Sequence, residues 1–592
     1  MEGLAPELIH NIYQCLEPSW HQNLARTCRS VYYASAHILR LHAAAYENGR
    51  IASDREPSDV LKLLNSVSHP TGVEAIEAWH VREYEVWGSR VIWDEWQQWR
   101  VDPDGSISME TGDNLAIEAD RIKTLAKTFL RDSTITTKRD YDMARDEIET
   151  GGDGFMKMLI ISSLPRLIAL RFVENEWDLH TSLEWMRKAA SRSLAASIPW
   201  PIGFTSLRIV AVGVVTRNHK DFNGAGARAN HLAMLLRLPN IEEVYFRNLD
   251  MRSDGDFEDV NDAQERFEIP TACSSVKRII LDRIRDDSWA FREALLMAPS
   301  ALEALVIRGH PETADEPMDG DMIPVHLGDS SSCQSLRRFT IYRPDYINGR
   351  DSRSYEPGLL QGLDNLGLVS LCIQDIINEA LGEARNKESD EEGINVSEDI
   401  REMDDDDTSP PHCTNDDFIN HDELVDAFVR LLPASLEVLV LWGQETFEED
   451  EQWFRRGEYE EYETIDDAIV AMMRSGRFEK LKAVYLNPIE EDGSTPREKV
   501  LFQKAMEEGR NRGVQIHTVA NSPKQDHMLD FVAIPDKHDM KTGLLGERDP
   551  SWVVHPFTGE WTSPGCRGCG NCQICLTHYT RPAWESFHNR FG

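Results

Sequence analysis

Four cysteines near the C-terminal end are the residues whose type and spacing could support chemistry. Cys566, Cys569, Cys572 and Cys575 form three overlapping Cys-x2-Cys steps, and His578 follows them. Thiolates at this spacing can turn around one metal ion, as in a zinc knuckle. Ordinary zinc modules separate their two cysteine pairs by about a dozen residues or more, whereas this chain has no such spacer. Zinc, an iron–sulfur cluster and a metal-free reduced segment therefore all remain open, and no cofactor is required.

The rest of the chain lacks the short motifs of common catalytic sites. It has no Gly-x-Ser-x-Gly elbow, no His-Glu-x-x-His helix, no Walker loop and no kinase signature. Carboxylate pairs are frequent, but 102 acidic residues make chance pairs uninformative. The sequence therefore predicts a protein that is not an enzyme and has no catalytic residues.

The N-terminal 39 residues have the apolar spacing of several short helices. Leu8, Ile12 and Leu16 recur at helical intervals, and a break at Glu17-Pro18-Ser19 separates them from further apolar residues downstream. Helices this short can barely bury a core of their own. We expect them to keep an apolar side that the rest of the chain or another protein must cover.

The same segment resembles an F-box. Its opening resembles the Leu-Pro-x-Glu-Leu/Ile start of that family, and Thr27-Cys28-Arg29 matches the late (Val/Thr)-Cys-Arg signature. The resemblance implies docking onto a Skp-type adaptor of a cullin-RING ubiquitin ligase. The residues that it places in the adaptor-binding face or in the small core beneath it are Leu4, Pro6, Glu7, Leu8, Ile12, Leu16, Leu24 and Cys28. The family usually has an Asp-Leu pair where this chain has Trp20-His21.

Composition limits the partners and the compartment. The 63 basic and 102 acidic residues give a net charge of -39, which argues against nucleic-acid binding because phosphate contacts need clustered cations. No apolar run is free of charge over a membrane-spanning length, so no membrane segment is expected. Ten cysteines among 592 residues do not form a disulfide framework, and the expected location is the cytosol, the nucleus or both.

A loose repeat begins near residue 150. Each unit is an apolar helix, often ending in Leu-Pro or Ala-Pro, followed by a short strand, with strand starts mostly about 26 to 45 residues apart. The clearest copies span 158–173, 231–247, 294–308 and 426–442, and weaker strands begin at Leu207, Val276, Leu336, Leu366 and Leu481. In each strand we expect alternate apolar residues, such as Leu436, Val438 and Val440, to point one way.

The predicted fold class is α/β: a small N-terminal helical F-box followed by an irregular, curved solenoid of helix–strand units that resembles leucine-rich repeats. A doubly wound α/β domain is the competing fold, but no Gly-rich strand-to-helix turn favours it. The predicted layout is an F-box-like domain at 1–45, a Trp-rich connection at 46–145, the solenoid at 146–520 and a C-terminal cap with the cysteine cluster at 521–592. An acidic insertion at 385–420, interpreted as a disordered loop, interrupts the repeats.

Three functions follow from these features. The first is the substrate-recognition subunit of a Skp–cullin–F-box ubiquitin ligase, with the adaptor and the ligase core as partners and an unknown protein as substrate. The second is a non-catalytic repeat scaffold whose N-terminal helices only cap the repeats, which the Trp20-His21 pair favours. The third is a metal-binding protein that uses the C-terminal cysteines.

Overall fold

The computed structural model describes residues 5–101, 107–109, 116–132, 137–172, 182–196, 198–213, 227–247, 249–251, 260–284, 288–309, 322–332, 334–342, 357–372, 376, 421–442, 458–487, 502–518, 553–554 and 561–562. The acidic insertion at 385–420, the cysteines of the C-terminal cluster and Leu4 lie outside these ranges. The chain divides into two compact units, Met1–His310 with Asp530–Pro550 and Glu585–Gly592, and Pro311–Leu529 with Ser551–Trp584.

The first unit begins with short helices and continues with alternating helices and strands. Its helices are α1 Pro6–Cys15, α2 Pro18–Ala25, α3 Arg29–Ala34, α4 Ala36–Asn48, α5 Pro57–Val67, α6 Ile76–His80, α7 Ala116–Asp132, α8 Lys138–Thr150, α9 Gly154–Ser163, α10 Ser182–Ala196, α11 Ile202–Ser206, α12 Ala229–Leu236, α13 Val260–Phe267 and α14 Trp289–Met297, with a 3₁₀ turn at Trp93–Glu95. Its strands are β1 Ile51–Ser53, β2 Glu83–Val86, β3 Trp99–Val101, β4 Ile107–Met109, β5 Ala169–Phe172, β6 Ile209–Val212, β7 Ala227–Arg228, β8 Glu243–Arg247, β9 Leu249–Asp250, β10 Arg278–Ile284 and β11 Ala304–Gly309.

The second unit repeats the alternation of helix and strand. Its helices are α15 Met322–Asp329, α16 His421–Leu431, α17 Glu458–Arg474 and α18 Gln503–Arg512, with a 3₁₀ turn at Pro357–Gly362. Its strands are β12 Arg338–Tyr342, β13 Leu368–Cys372, β14 Val438–Trp442, β15 Ala483–Asn487, β16 Gln515–Thr518, β17 Val553–Val554 and β18 Trp561–Thr562. The protein is therefore of the mixed α/β class, and the helix–strand pairs expected from the sequence are present in both units.

Parallel pairing of strands in chain order organises each unit. In the first unit the order is β1, β2, β5, β6, β8, β10, β11, and every neighbouring pair is parallel. In the second unit the order is β12, β13, β14, β15, β16, again all parallel. A doubly wound sheet reverses its strand order at a switch point, and neither described series contains such a reversal.

Both faces of the first unit's sheet carry buried apolar residues. Leu170, Val210 and Val244 occupy one register row, and all three side chains are fully buried. One residue further along the strands, Ala211 and Tyr245 lie on the opposite face and form a second buried cluster with Ile280 and Val306. Parallel strands that are covered on both faces have nearly continuous apolar runs in their sequences.

Strand β14 is apolar on the face opposite to Val438 and Val440 as well. Leu439, Val440 and Leu441 are consecutive in the strand, and each is at most 1% exposed. The reason is again burial on both faces, since side chains of successive strand residues point in opposite directions.

The parallel sheet begins earlier in the chain than the first clear repeat. Strands β1 and β2 lie within the Trp-rich region, and β2 pairs with both β1 and β5. Trp87, Trp96 and Trp99 from this region are at most 5% exposed. Because these rings are buried, they pack neighbouring elements together and do not form an exposed aromatic surface.

Candidate functional site

The N-terminal helices form the candidate functional site because they combine a small core with a large exposed apolar surface. Helices α1 and α2 each begin with a proline at the first helical position, Pro6 and Pro18, where its missing N–H is not needed. Between them, Leu16 and Glu17 have extended backbones. The break expected at Glu17-Pro18-Ser19 is therefore confirmed.

The core beneath these helices is built on the face of α1 that carries Ile9 and Tyr13. They cluster with buried residues of α3, α4 and α6, namely Val31, Ile38, Ala45 and Ile76. Leu24 and Cys28 pack against this cluster and are partly buried. Because Ile76 belongs to α6, later residues of the chain cover one side of the N-terminal helices.

The remaining surface of the N-terminal helices keeps large apolar residues in solvent. Six of the twelve large apolar side chains that are exposed in the described part of the chain lie between residues 8 and 46. They are Leu8 (50% exposed), Trp20 (57%), Tyr32 (52%), Tyr33 (73%), Leu41 (46%) and Tyr46 (61%). Exposed apolar residues that are concentrated in one part of a protein mark a binding surface more often than scattered single residues do. We call these six residues the exposed apolar set.

The residues singled out from the F-box resemblance divide between this surface and the core. Pro6, Glu7 and Leu8 lie in the first turn of α1 and are exposed. Ile12 and Leu16 are partly buried, as are Leu24 and Cys28. Cys28 precedes α3 directly, and its Sγ lies 3.2 Å from the hydroxyl oxygen of Ser30.

Sequence reasoning missed the aromatic members of the exposed apolar set. Tyr32 and Tyr33 are consecutive in the six-residue helix α3, and their rings meet edge to face at 5.8 Å. Consecutive helical residues point about 100° apart, and the buried residue of α3 is Val31. That adjacency was the available signal that at least one tyrosine faces solvent.

His21, which replaces a residue of the usual F-box pair, is a structural residue here. Its side chain is fully buried, and its Nε2 lies 3.2 Å from the carbonyl oxygens of both Tyr13 and Leu16. The Tyr13 hydroxyl donates in return to the carbonyl oxygen of His21 at 3.1 Å. Burial lowers the pKa of His21, so the imidazole is neutral at neutral pH. The hydrogen bonds of His21 connect the C-terminal end of α1 to α2.

A buried ionic cluster lies deeper in the first unit and cannot serve as an open active site. Asp54, Arg90, Asp153 and Lys157 have fully buried side chains. The Lys157 Nζ lies 2.6 Å from Asp54 and 2.9 Å from Asp153, and Arg90 Nη1 lies 3.1 Å from Asp153. Two cations and two carboxylates balance each other. Their mutual pairing ties the end of β1, the segment after β2 and the start of α9 together.

Two carboxylates nearby have raised pKa values because they are buried. Burial raises the pKa of Glu85 to about 7 although Arg171 opposes the shift. Burial likewise raises the pKa of Glu147 to about 7, against hydrogen bonds from the Phe155 N–H and the Trp185 indole N–H, each at 2.7 Å. Both carboxylates contact protein donors, which gives them structural roles in the first unit.

No group of three or more histidine, cysteine or acidic side chains that could hold a metal ion occurs among the described residues. The cysteine cluster at the C-terminal end lies outside them, so zinc, an iron–sulfur cluster and a metal-free segment all stay open for it. No described helix is both long and apolar enough to cross a membrane.

Comparison with protein-family models, with curated proteins and with solved structures gives no match for this chain. The fold and the candidate site therefore define a class of protein. It is a mixed α/β protein whose parallel strands pair in chain order and whose N-terminal helices expose apolar side chains.

Proposed function

We propose that this chain is the substrate-recognition subunit of a Skp–cullin–F-box type ubiquitin ligase. Its N-terminal helices would dock onto the Skp-type adaptor, and its helix–strand repeats would present a protein substrate. The observation that carries the proposal is the exposed apolar set on α1 to α4, beside the F-box-like opening Pro6-Glu7-Leu8. An adaptor that covers these side chains would remove their exposed apolar area from water, which favours association.

The arrangement of the helices supports one continuous docking surface. Helix α3 packs against both α1 and α2. Leu8, Trp20, Tyr32 and Tyr33 therefore come from three helices in mutual contact. Aromatic residues are enriched at the cores of protein interfaces, and four of the six members of the exposed apolar set are aromatic.

The repeat part of the proposal rests on strand order. Parallel strands that pair in chain order, each preceded by a helix, are the arrangement that a solenoid requires. Such an architecture presents the loops between its helices and strands to a partner and needs no catalytic residue. In the proposed complex the chain acts by proximity, since holding a substrate lysine near a ubiquitin thioester raises its effective concentration.

Co-expression with a Skp-type adaptor and measurement of binding by calorimetry test this proposal. Leu8→Asp and Tyr33→Asp place a carboxylate at exposed positions, so the fold should persist while adaptor affinity falls at least tenfold. Trp289→Asp is the matched control, since Trp289 is 48% exposed but lies on α14. It should leave adaptor affinity unchanged.

Two results would count against the ligase function. One is absence of adaptor binding by the wild-type chain. The other is wild-type affinity in both aspartate variants. Either result favours the scaffold alternative, in which the N-terminal helices only cap the repeats. The observation that supports the scaffold alternative is the burial of His21, which stands where an F-box usually has its Asp-Leu pair.

A further inference from the structure

A cavity of about 490 Å³ opens in the first unit where α5, α6, α9 and α10 meet the segment that leads into α11. This volume lies in the range of roughly 300–1,000 Å³ that is usual for small-molecule pockets. Apolar side chains form much of its wall, among them Val67, Ala78, Trp79 and Ile202. The cavity therefore suits an apolar body of small-molecule size.

One arginine in the wall of this cavity lacks an anionic partner. The Nη1 atom of Arg192, on α10, is buried and has no hydrogen-bond acceptor among the residues that the structure describes. Within the described ranges, no carboxylate forms an ion pair with its guanidinium. A cation beside apolar surface is costly unless it is paired. In a chain with 102 acidic and 63 basic residues, an unpaired arginine at a cavity wall is a specific feature.

The other polar groups of the wall do not neutralise Arg192. Glu17 lies at the rim and is exposed, where its Oε2 accepts a hydrogen bond from the Ser19 hydroxyl at 3.3 Å. The Arg166 guanidinium lies 5.0 Å from the ring centroid of Trp79, so a second positive charge lies beside one residue of the wall. Ser163 and Ser193 contribute hydroxyl groups to the same wall.

We propose that this cavity binds a small organic carboxylate, with the carboxylate group on Arg192 and the apolar body against Trp79 and its neighbours. A charge-assisted hydrogen bond to the guanidinium would supply the anion preference, and the apolar wall would supply the remaining affinity. The carboxylate can come from a lipid or from an aromatic acid, since both carry one anionic end and an apolar body. The residues that carry this proposal are Arg192 on α10 and Trp79 on α6, whereas adaptor docking involves exposed residues of α1 to α4.

Calorimetric titration of the full chain with decanoate and, separately, with 3-phenylpropionate tests the proposal and distinguishes the two sources. 1-Decanol serves as the uncharged probe of matched length. We expect saturable binding of at least one carboxylate, and weaker binding of 1-decanol by about tenfold or more. Arg192→Met keeps the aliphatic part of the side chain and should weaken carboxylate binding to the same extent.

Two further variants serve as controls for Arg192→Met. Arg192→Lys retains the charge and should keep most of the carboxylate affinity. Arg145→Met applies the same arginine-to-methionine change at an exposed site on α8 outside the cavity wall and should bind like the wild type. Circular dichroism of each variant verifies that it is folded.

Three outcomes would overturn the proposal. The first is no saturable binding of either carboxylate to the wild-type chain. The second is unchanged carboxylate affinity in folded Arg192→Met. The third is equal affinity for decanoate and 1-decanol, which would leave an apolar cavity without anion recognition.

Discussion

The Nδ1 atom of His21 lies 3.0 Å from the Nε2 atom of His42. The Nδ1 atom of His42 in turn lies 2.8 Å from the Nε2 atom of His80. Three imidazoles therefore form a hydrogen-bonded chain from α2 through α4 to α6, and successive rings meet edge to face at 5.2 and 5.1 Å. This chain links the N-terminal helices to the first helices of the α/β part of the unit.

The partners of His21 fix the direction of every hydrogen bond in this chain. Its Nε2 faces two carbonyl oxygens, which only accept, so Nε2 carries the proton. A neutral His21 then accepts at Nδ1 from His42, and His42 accepts at Nδ1 from His80. The Nδ1 of His80 is left as a buried acceptor without a partner in the described part of the chain. A proton on His42 Nδ1 would oppose the His80 N–H and break the chain.

Acidification should therefore destabilise the N-terminal helices. Burial is the largest cause that lowers the pKa of His42 and of His80 to about 4, from an ordinary value of 6.5. Neighbouring charges add to the shift, from His21 and His80 for His42 and from Arg82 and Arg166 for His80. Between pH 6.5 and 4 the unfolded state binds more protons than the folded state, so the free energy of unfolding falls as pH decreases.

His80→Gln should lose less stability than the wild type between pH 6.5 and 4, as measured by urea unfolding at each pH. Glu147→Gln is the control of opposite sign. The pKa of Glu147 is raised from 4.5 to about 7, so its contribution to stability falls as pH rises through that interval, and the variant should remove this loss. Equal pH slopes for His80→Gln and wild type would show that the histidine chain does not control acid stability.

Lys157→Met should destabilise the first unit by about 3–5 kcal/mol, because it leaves Asp54 and Asp153 buried beside a single cation. The midpoint of urea unfolding, followed by tryptophan fluorescence, is the measurement. Lys127→Met is the matched control, since Lys127 pairs with Glu149 where both side chains are substantially exposed, and it should leave the midpoint unchanged. Similar midpoints for the two variants would contradict a cooperative buried cluster.

Gly203→Ala should destabilise the packing of α11 on α9 by about 1–3 kcal/mol. A Cβ at Gly203 would overlap the carbonyl oxygen of Ile161, a backbone atom that cannot move without disturbing α9. Gly362→Ala is the control, because a Cβ there meets no atom of the described residues within 4 Å. Comparison of urea midpoints checks the expectation, and a wild-type midpoint for Gly203→Ala would contradict the observed closeness of the two helices.

The helix–strand pairs were predictable because their signals are local. The copy at 231–247 contains an apolar run, a Leu-Pro stop and a β-branched and aromatic strand, and it folds as α12 followed by β8. In contrast, β1 and β2 were not recognised. β1 has only three residues. β2 contains Glu83 and Glu85, whose charges do not fit the apolar pattern of a buried strand. Their burial is explained only by Arg171 of β5, which pairs with both.

The sequence by itself determined the alternation of helices and strands, the proline-started N-terminal helices and the apolar excess that they cannot bury, since each depends on residues a few positions apart. Tertiary structure alone decided which apolar residues stay in solvent, that His21 is a buried connector, and that Asp54, Arg90, Asp153 and Lys157 meet. It also decided that Arg192 and Trp79 line the same cavity. These contacts join residues that are far apart in the chain, and their burial depends on the packing of whole helices rather than on local spacing.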